Sequence, residues 1–171
     1  MYDKLNITEN HLQALLLFTD GFDREYYIRE VHKLLKISPR TAQLILDDLE
    51  NKGVLESKTK GKIRAYKMKR NGSSRRYMMI TEQYKAISFL EKNQMIKEIT
   101  EKIIPFIDGI GIIFGSYSKG TASKESDLDI FVAGKYNRQK IKRISTTYGI
   151  EISIKCYPLK TFETSNNKDI L

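Results

Sequence analysis

One segment in the second half of the chain constrains the fold more than any other. An apolar run, Ile110 to Phe114, stops at Gly115-Ser116, and ten residues separate Ser116 from Asp127, where the next apolar run begins. Short apolar runs bounded by glycine are typical of buried strands. Because side chains two positions apart on a strand point to the same side, Asp127 and Asp129 would present both carboxylates on one face. The segment predicts two strands, a tight turn after the first and an acidic pair at the start of the second.

The acidic pair predicts a metal site and a phosphate-containing substrate. Two carboxylates on one face repel each other unless cations lie between them, and Mg²⁺ accepts one or two carboxylates together with substrate phosphates. Gly115 permits a tight turn, and Ser116 can offer a hydroxyl and an N–H to terminal phosphates. Lys119 or Lys124 could add positive charge near a triphosphate. A kinase or GTPase P-loop is excluded, because no Gly-Lys-Ser/Thr follows the first strand.

The stretch IGIIFGSYSKGTASKESDLDIFV resembles the signature of the DNA polymerase beta superfamily of nucleotidyltransferases in its minimal form. The resemblance covers roughly residues 95 to 165 and rests on Gly115-Ser116, the second glycine, Ser126 and the Asp-x-Asp pair. It implies two Mg²⁺ ions and a nucleoside triphosphate, with ATP expected, whose AMP is moved to a hydroxyl acceptor. It also assigns residues to roles: Asp127 and Asp129 as catalytic metal ligands, and Gly115, Ser116, Gly120 and Ser126 as nucleotide-binding residues.

The same resemblance implies a third acidic residue on a later strand, acting as a base or as a metal ligand. The run Ile150 to Ile154 alternates, so its isoleucines would face the core and Glu151 and Ser153 would face the other way. Glu151 is then a candidate catalytic base or third metal ligand. Equally, Ser153 would stand where the acid should be, and the site would have lost its base. Under that alternative the domain would only sense a nucleotide.

The first half of the chain contains three segments with helical patterns. Thr8 can cap the first helix, Asp23 can cap a second helix that includes Tyr27, and Ser38 with Pro39 at the first helical position begins the third. Gly53 suits a left-handed end to the third helix. Two strand-like runs, residues 54–58 and 62–68, then predict a hairpin with a lysine-rich tip.

Positive charge is concentrated around this hairpin. The chain carries a formal net charge of +9, and between Lys52 and Arg76 there are ten Lys and Arg residues against Glu56 alone. The order of elements resembles a winged helix-turn-helix domain over roughly residues 5 to 80. That resemblance implies double-stranded DNA as partner, with the third helix in the major groove. The implied DNA-binding residues are Arg40, Thr41 and Gln43 on the helix and Lys58, Lys60, Lys62 and Arg64 on the wing; Asp47, Asp48 and Glu50 would repel phosphate.

These patterns together predict an α+β chain with two domains. We expect a winged helix domain at residues 1–80, a helical connector at 81–104 and a small mixed-sheet nucleotidyltransferase domain at 105–171. The polar stretch 71–76 would form a loop, and the connector pattern would be interrupted near Asn93. The connector is amphipathic, which is typical either of a homodimer face or of core packing.

Composition limits the remaining choices. The single cysteine, Cys156, cannot form an intramolecular disulfide and is expected to be partly buried, which fits a reducing cytoplasm. No eighteen consecutive residues are apolar, so a membrane span is not expected. Three functions remain: a nucleotidyltransferase that modifies a protein, small molecule or nucleic acid end; a transcriptional regulator that senses nucleotide; and a self-regulating antitoxin with a separate toxin partner.

Overall fold

The computed structural model describes residues 5–19, 21–61, 63–123 and 125–164. The chain forms two compact units, which divide after Ser88. Among the described residues, no helix is both long enough and apolar enough to cross a lipid bilayer.

The first unit combines helices with a small antiparallel sheet. Its strands lie in the order β1-β3-β2, and every neighbouring pair is antiparallel. The elements in chain order are α1 (Glu9–Leu16), β1 (Glu25–Tyr27), α2 (Ile28–Leu35), α3 (Pro39–Asn51), β2 (Leu55–Lys60), β3 (Ile63–Met68) and the beginning of α4 (Gly72–Lys92).

Helix α3 forms as its sequence predicts, because its end signals are local. The Ser38 hydroxyl oxygen accepts a hydrogen bond from the Thr41 N–H at 3.0 Å, and Pro39 occupies the first helical position. Gly53 follows the helix with φ +68°, a left-handed conformation that L side chains rarely adopt. The buried face of α3 packs into the core of the first unit; it is formed by Ala42, Ile45, Leu46 and Leu49.

The predicted start of the second helix is wrong. Residues 25–27 form strand β1, in which Tyr26 pairs with Tyr66 of β3, and α2 begins only at Ile28. The N–H of Tyr27 donates to the Glu30 carboxylate at 2.8 Å, so Tyr27 and not Asp23 is the N-cap. The distant partner strand decides this, because β1 forms by pairing with β3, and Tyr26 is then only 6% exposed in the core of the first unit.

The stretch predicted as a loop at 71–76 is also different, because α4 begins at Gly72. The Asn71 side-chain oxygen accepts from the Ser74 N–H at 2.8 Å, which is the arrangement of a helix cap. The buried Ser74 hydroxyl in turn donates to the Val54 carbonyl at 2.8 Å. These contacts to the α3–β2 connection hold the helix start. The interruption near Asn93 is confirmed, since α4 ends at Lys92 and a new helix begins at Gln94.

The second unit contains a mixed three-stranded sheet. Its strands lie in the order β4-β5-β6, with β4 antiparallel and β6 parallel to β5. After the end of α4 the elements are α5 (Gln94–Ile103), a 3₁₀ turn (Ile104–Phe106), β4 (Ile107–Ile113), α6 (Gly115–Lys119), β5 (Leu128–Tyr136), α7 (Arg138–Tyr148), β6 (Ile152–Tyr157) and α8 (Leu159–Thr164).

The core of the second unit lies on one face of this sheet. Helices α5 and α7 contribute Ile96, Ile99 and Ile141, which pack with Leu128 and Ile130 of β5. The first strand was predicted to be buried, and that is wrong. Ile110 and Ile112 are 59% and 52% exposed, because β4 is an edge strand and these side chains point to the face that the helices do not cover.

Candidate active site and nucleic-acid surface

The turn after β4 is built around the carboxylate of Asp129. The Phe114 N–H donates to the Asp129 carbonyl at 3.0 Å, which places the beginning of α6 against the first residues of β5. Gly115 has φ +72°, and a Cβ atom there would lie 2.1 Å from the Asp129 Oδ2 atom. Any residue other than glycine would therefore displace this carboxylate as well as adopt an unfavourable backbone conformation.

The acidic pair remains open to a ligand. Asp127 is exposed and Asp129 is half-buried, whereas Leu128 between them is fully buried in the core. Within the described part of the chain, neither aspartate side chain has a hydrogen bond or an ion pair. The donor set fits magnesium, which takes one or two protein carboxylates and fills its other positions with phosphate oxygens and water.

The other predicted nucleotide-binding residues have local structural roles. Gly120 ends α6 with φ +69°, and the next residue, Thr121, donates its N–H to the Ser116 carbonyl at 3.0 Å. The Ser126 hydroxyl oxygen accepts from the Ser123 N–H at 2.8 Å and closes a turn just before the acidic pair. Lys119 is exposed at the end of α6, and Lys124 lies outside the described residues.

Strand register bears on the third acid. In the parallel pair β5–β6, Asp129 is directly opposite Ser153, so the serine is the cross-strand neighbour of this carboxylate. Glu151 precedes the strand, where its carbonyl accepts from the Leu128 N–H at 2.7 Å. Glu151 also lines a cavity of about 550 Å³ beside α7. Among the described residues, no three His, Cys, Asp or Glu side chains are placed to hold one metal ion.

Helix α3 presents its predicted base-reading residues at the surface of the first unit. Arg40 is exposed, and Gln43 is half-buried. The Arg40 guanidinium donates to the Gln43 side-chain oxygen across a long 3.4 Å contact, which leaves most of its donors available. The Thr41 hydroxyl, by contrast, is hydrogen-bonded to the Ser38 hydroxyl at 2.8 Å.

Arg64 joins the hairpin to helix α3. Its guanidinium binds the Asp47 carboxylate at 3.0 Å and also the Glu50 carboxylate, and its Nε–H donates to the Ser57 hydroxyl at 2.9 Å. The buried Tyr66 hydroxyl donates to the same Asp47 oxygen at 2.7 Å. Burial, followed by the hydrogen bond to Asp47 and the charge of that carboxylate, raises the pKa of Tyr66. The structure thus places Arg64 between two carboxylates of its own chain.

The acidic residues of α3 are accordingly paired with basic side chains. Asp47 and Glu50 share Arg64, while Asp48 pairs with Lys52 and receives a 3.0 Å contact from the Nε2 atom of His11. The sequence interpretation missed these pairs. The spacing of Asp48 and Lys52 on one helix is the signal that could have found the first of them.

The remaining sequence predictions on the hairpin have different outcomes. Lys58 is exposed, whereas the side chain of Lys60 and the whole of Lys62 lie outside the described residues.

In the second unit, Cys156 is exposed, so the expectation of a partly buried thiol is wrong. The thiol lies on the edge strand β6, 3.4 Å from the Gly134 carbonyl oxygen.

Comparison with protein families finds a nucleotidyltransferase domain at residues 92–153. This segment contains β4, the Gly115 turn, the acidic pair and the start of β6, so the second unit contains a nucleotidyltransferase domain. No curated protein matches the chain significantly.

Two solved structures resemble the chain distantly. A possible transcriptional regulator from Methanosarcina mazei Go1 is 22% identical, covering 54% of this chain and 79% of that one with a TM-score of 0.39. TrmBL2, an archaeal chromatin protein whose structure shows a novel mode of DNA binding, is 12% identical, covering 98% of this chain and 70% of that one with a TM-score of 0.35.

Proposed function

We propose that the second unit transfers a nucleoside monophosphate, AMP from ATP, to a hydroxyl acceptor and releases pyrophosphate. The observation that carries this proposal is the Gly115 turn, whose backbone closely approaches the Asp129 carboxylate beside the exposed Asp127. Two open carboxylates next to a glycine turn suit a magnesium-bound triphosphate. The nucleotidyltransferase domain at residues 92–153 supports the same reaction class.

Each residue of the site has a proposed task. Asp127 and Asp129 hold the metal ions, and Gly115 with Ser116 lies against the terminal phosphates. Bound magnesium would supply positive charge that offsets the charge of the triphosphate during displacement at phosphorus. Glu151 is the proposed base that takes the proton of the attacking hydroxyl. A base does not have to be a metal ligand to do this.

A double substitution tests the metal site. Asp127→Asn with Asp129→Asn should abolish magnesium-dependent ATP binding, measured by calorimetry, and should leave the fold intact because neither side chain belongs to the core. The matched control is Glu98→Gln with Glu101→Gln, which removes the same charge from exposed positions on α5. Unchanged ATP affinity in the aspartate variant would disprove the assignment.

The register of β5 and β6 favours a second candidate, a domain that binds nucleotide without transferring it. Ser153 stands opposite Asp129, and a serine hydroxyl cannot accept a proton as a base near neutral pH. The two candidates separate in an AMP-transfer assay that also follows labelling of the protein's own tyrosines. Under transfer by Glu151, Glu151→Gln lowers the rate 10²- to 10⁴-fold, roughly the contribution of a general base, with ATP binding retained.

Under the sensing candidate the parent protein transfers nothing, and Ser153→Asp should create activity by restoring a carboxylate beside Asp129. Parent activity that is indifferent to Glu151→Gln would remove Glu151 from the mechanism and leave the Asp pair in place.

We further propose that the first unit binds double-stranded DNA in the manner of a winged helix. Support comes from α3, which exposes Arg40 and presents Gln43 while its own carboxylates are paired with Arg64, Lys52 and His11. Arg and Gln can each make bidentate contacts to base edges, and Lys58 on the hairpin is the proposed phosphate contact. Arg64 has a positioning role here, since its guanidinium is engaged with Asp47 and Glu50.

Binding assays on duplexes of different sequence test this role. Arg40→Ala or Gln43→Ala should alter preference among sequences by roughly 1–3 kcal/mol per lost bidentate contact. Lys58→Gln should weaken binding to all sequences equally and reduce the salt slope by about one. A protein that retains no duplex even at low salt would instead indicate protein contacts for this unit.

We also propose that α4 forms a homodimer contact. Ile80 and Ile87 are 41% and 59% exposed, and a spacing of seven residues places them on one side of the helix. Ile87→Lys should shift a dimer toward monomer in sedimentation, with Lys85→Gln as an exposed control on the same helix. A parent protein that is monomeric at high concentration would exclude the contact.

A further inference from the structure

Helix α7 carries a second concentration of positive charge, in the unit that does not contain the hairpin. From Lys135 to Lys160 the chain has seven Lys and Arg residues, and Glu151 is the only acidic residue. Helix α7 itself, RQKIKRISTTY, contains four of these cations and no carboxylate. The hairpin segment accounts for the whole net charge, because acidic residues elsewhere in the chain offset the charge of this second region.

The fold turns these cations outward. Ile141 is 3% exposed and, with the half-buried Ile144 and Tyr148, holds α7 on the core of the second unit. The four cations occupy the remaining surface of the helix and are all exposed; they are Arg138, Lys140, Lys142 and Arg143. We refer to these four residues as the α7 surface.

The charges of the α7 surface are not neutralised within the described part of the chain. Arg138, Lys142 and Arg143 have no carboxylate partner there, and the Lys140 amine lies over the Phe106 ring at 5.9 Å. Arg138 and Lys142 are four residues apart on one helix, a spacing at which like charges repel. By contrast, Lys67 and Arg70 of the hairpin region pair with Glu56 and Asp23.

The α7 surface is distinct from the acidic pair. Helix α7 covers the sheet face on which Leu128 and Ile130 are buried, whereas Asp129 belongs to the opposite set of alternating side chains. The cavity beside α7 is lined by Arg138 and Lys142 together with Ser145, Thr146 and Glu151. Both hydroxyls there donate to carbonyls of the chain, Ser145 to Ile150 at 2.7 Å and Thr146 to Lys142 at 3.1 Å, so the charged side chains are the groups left for a ligand.

We propose that the α7 surface binds the phosphate backbone of double-stranded DNA without reading its bases. Exposed Lys and Arg side chains without carboxylate partners on the solvent side of one helix match a polyanion, and neutralising phosphates releases counterions from the duplex. The choice of DNA rests on the proposed function of the first unit. If α3 and the hairpin hold a duplex, a second basic surface on the same chain gains from a high effective concentration of that duplex.

The salt dependence of binding by the full chain tests the proposal. The α7 variant combines Arg138→Gln, Lys142→Gln and Arg143→Gln, and the matched control combines Lys92→Gln, Lys97→Gln and Lys102→Gln, which removes equal charge from a helical region that also contains Glu91, Glu98 and Glu101. On a duplex of arbitrary sequence, the slope of log K against log salt should fall by about three for the α7 variant. The control should keep the parent slope, and magnesium-dependent ATP binding should be equal in all three proteins.

Each other outcome is decisive. A parent slope in the α7 variant overturns this inference and leaves DNA binding by the first unit standing. Loss of binding in the α7 variant, with no effect of Arg40→Ala or Lys58→Gln, supports the α7 surface and overturns the role of the hairpin unit. Dependence on α7 that is seen only with duplex RNA overturns the choice of DNA, and a parent that binds no duplex at low salt overturns both proposals.

Discussion

The two units use their charged residues in different ways. In the first unit, Arg64 lies between Asp47 and Glu50, and Asp48 is paired with Lys52. In the second unit, the acidic pair at 127 and 129 and the cations of the α7 surface have no such partners among the described residues. The same residue types therefore hold elements together around Arg64 in the first unit and are left open to ligands at these two places in the second.

This difference separates structural charge from binding charge. An ion pair within the chain fixes the geometry of two elements and leaves little charge for an external ligand. Unpaired charges of one sign add little to stability, and they attract ligands of opposite charge. We therefore expect substitutions of the paired residues to alter unfolding and substitutions of the unpaired residues to alter binding.

The largest expected effect is at Gly115. Gly115→Ala should weaken magnesium-dependent ATP binding at least tenfold, because the new Cβ would lie 2.1 Å from the Asp129 carboxylate. The control is Gly149→Ala, which has a similar φ of +64° but no atom within 4 Å of its Cβ position. Both variants should lose about 1–2 kcal/mol of unfolding free energy from backbone strain. Calorimetry measures the first quantity and urea unfolding the second.

Equal ATP affinity in Gly115→Ala and Gly149→Ala would contradict the proposed closeness of the turn and the carboxylate. A loss of affinity in both would indicate that backbone strain anywhere in the unit is sufficient.

The second effect concerns the paired charges. Arg64→Gln should destabilise the protein by about 1–2 kcal/mol, because Asp47 and Glu50 lose their shared partner and the Ser57 hydroxyl loses a donor. Lys58→Gln, an exposed cation on the neighbouring strand, should change the unfolding free energy by less than about 0.5 kcal/mol. Urea unfolding followed by circular dichroism compares the two.

The comparison between the units would break if Arg64→Gln unfolded like the parent and yet lowered the salt slope for DNA. Arg64 would then be a phosphate contact, as the sequence pattern had predicted.

The smallest effect is at Tyr66. Burial and Asp47 raise the pKa of Tyr66. The folded protein therefore keeps the phenol proton to a higher pH than the unfolded chain, in which tyrosine ionises at about pH 10. The associated stability is present below that pH and is lost as the pH rises further. Tyr66→Phe should cost about 1 kcal/mol at neutral pH and should make the alkaline loss of stability shallower. Urea midpoints measured from neutral to alkaline pH, with Tyr148→Phe as control, give both quantities; parallel curves for parent and variant would refute the coupling.

Local signals were sufficient for part of the fold. Helix α3 could be predicted because Ser38, Pro39 and Gly53 act on the few residues next to them. The break at Asn93 and the two strands around the Gly115 turn were predicted for the same reason. Strand β1 was not, because Tyr26 becomes a strand residue only by pairing with Tyr66 forty residues later.

Burial and pairing could not be predicted in the same way. Ile110 and Ile112 belong to an apolar run that is typical of core residues. They are exposed because no described helix covers that face of the edge strand. The start of α4 likewise depends on Ser74 meeting the Val54 carbonyl, a contact between residues far apart in the chain.

The sequence by itself determined the chemistry available to this protein, since a glycine turn, a pair of aspartates two residues apart and a basic hairpin are properties of neighbouring residues. The tertiary structure decided which of those groups remain available to a ligand. It placed Ser153 opposite Asp129, enclosed Arg64 between two carboxylates and left the α7 surface unpaired among the described residues. The physical reason is that charge neutralisation and strand register depend on contacts between distant segments, which composition and spacing do not specify.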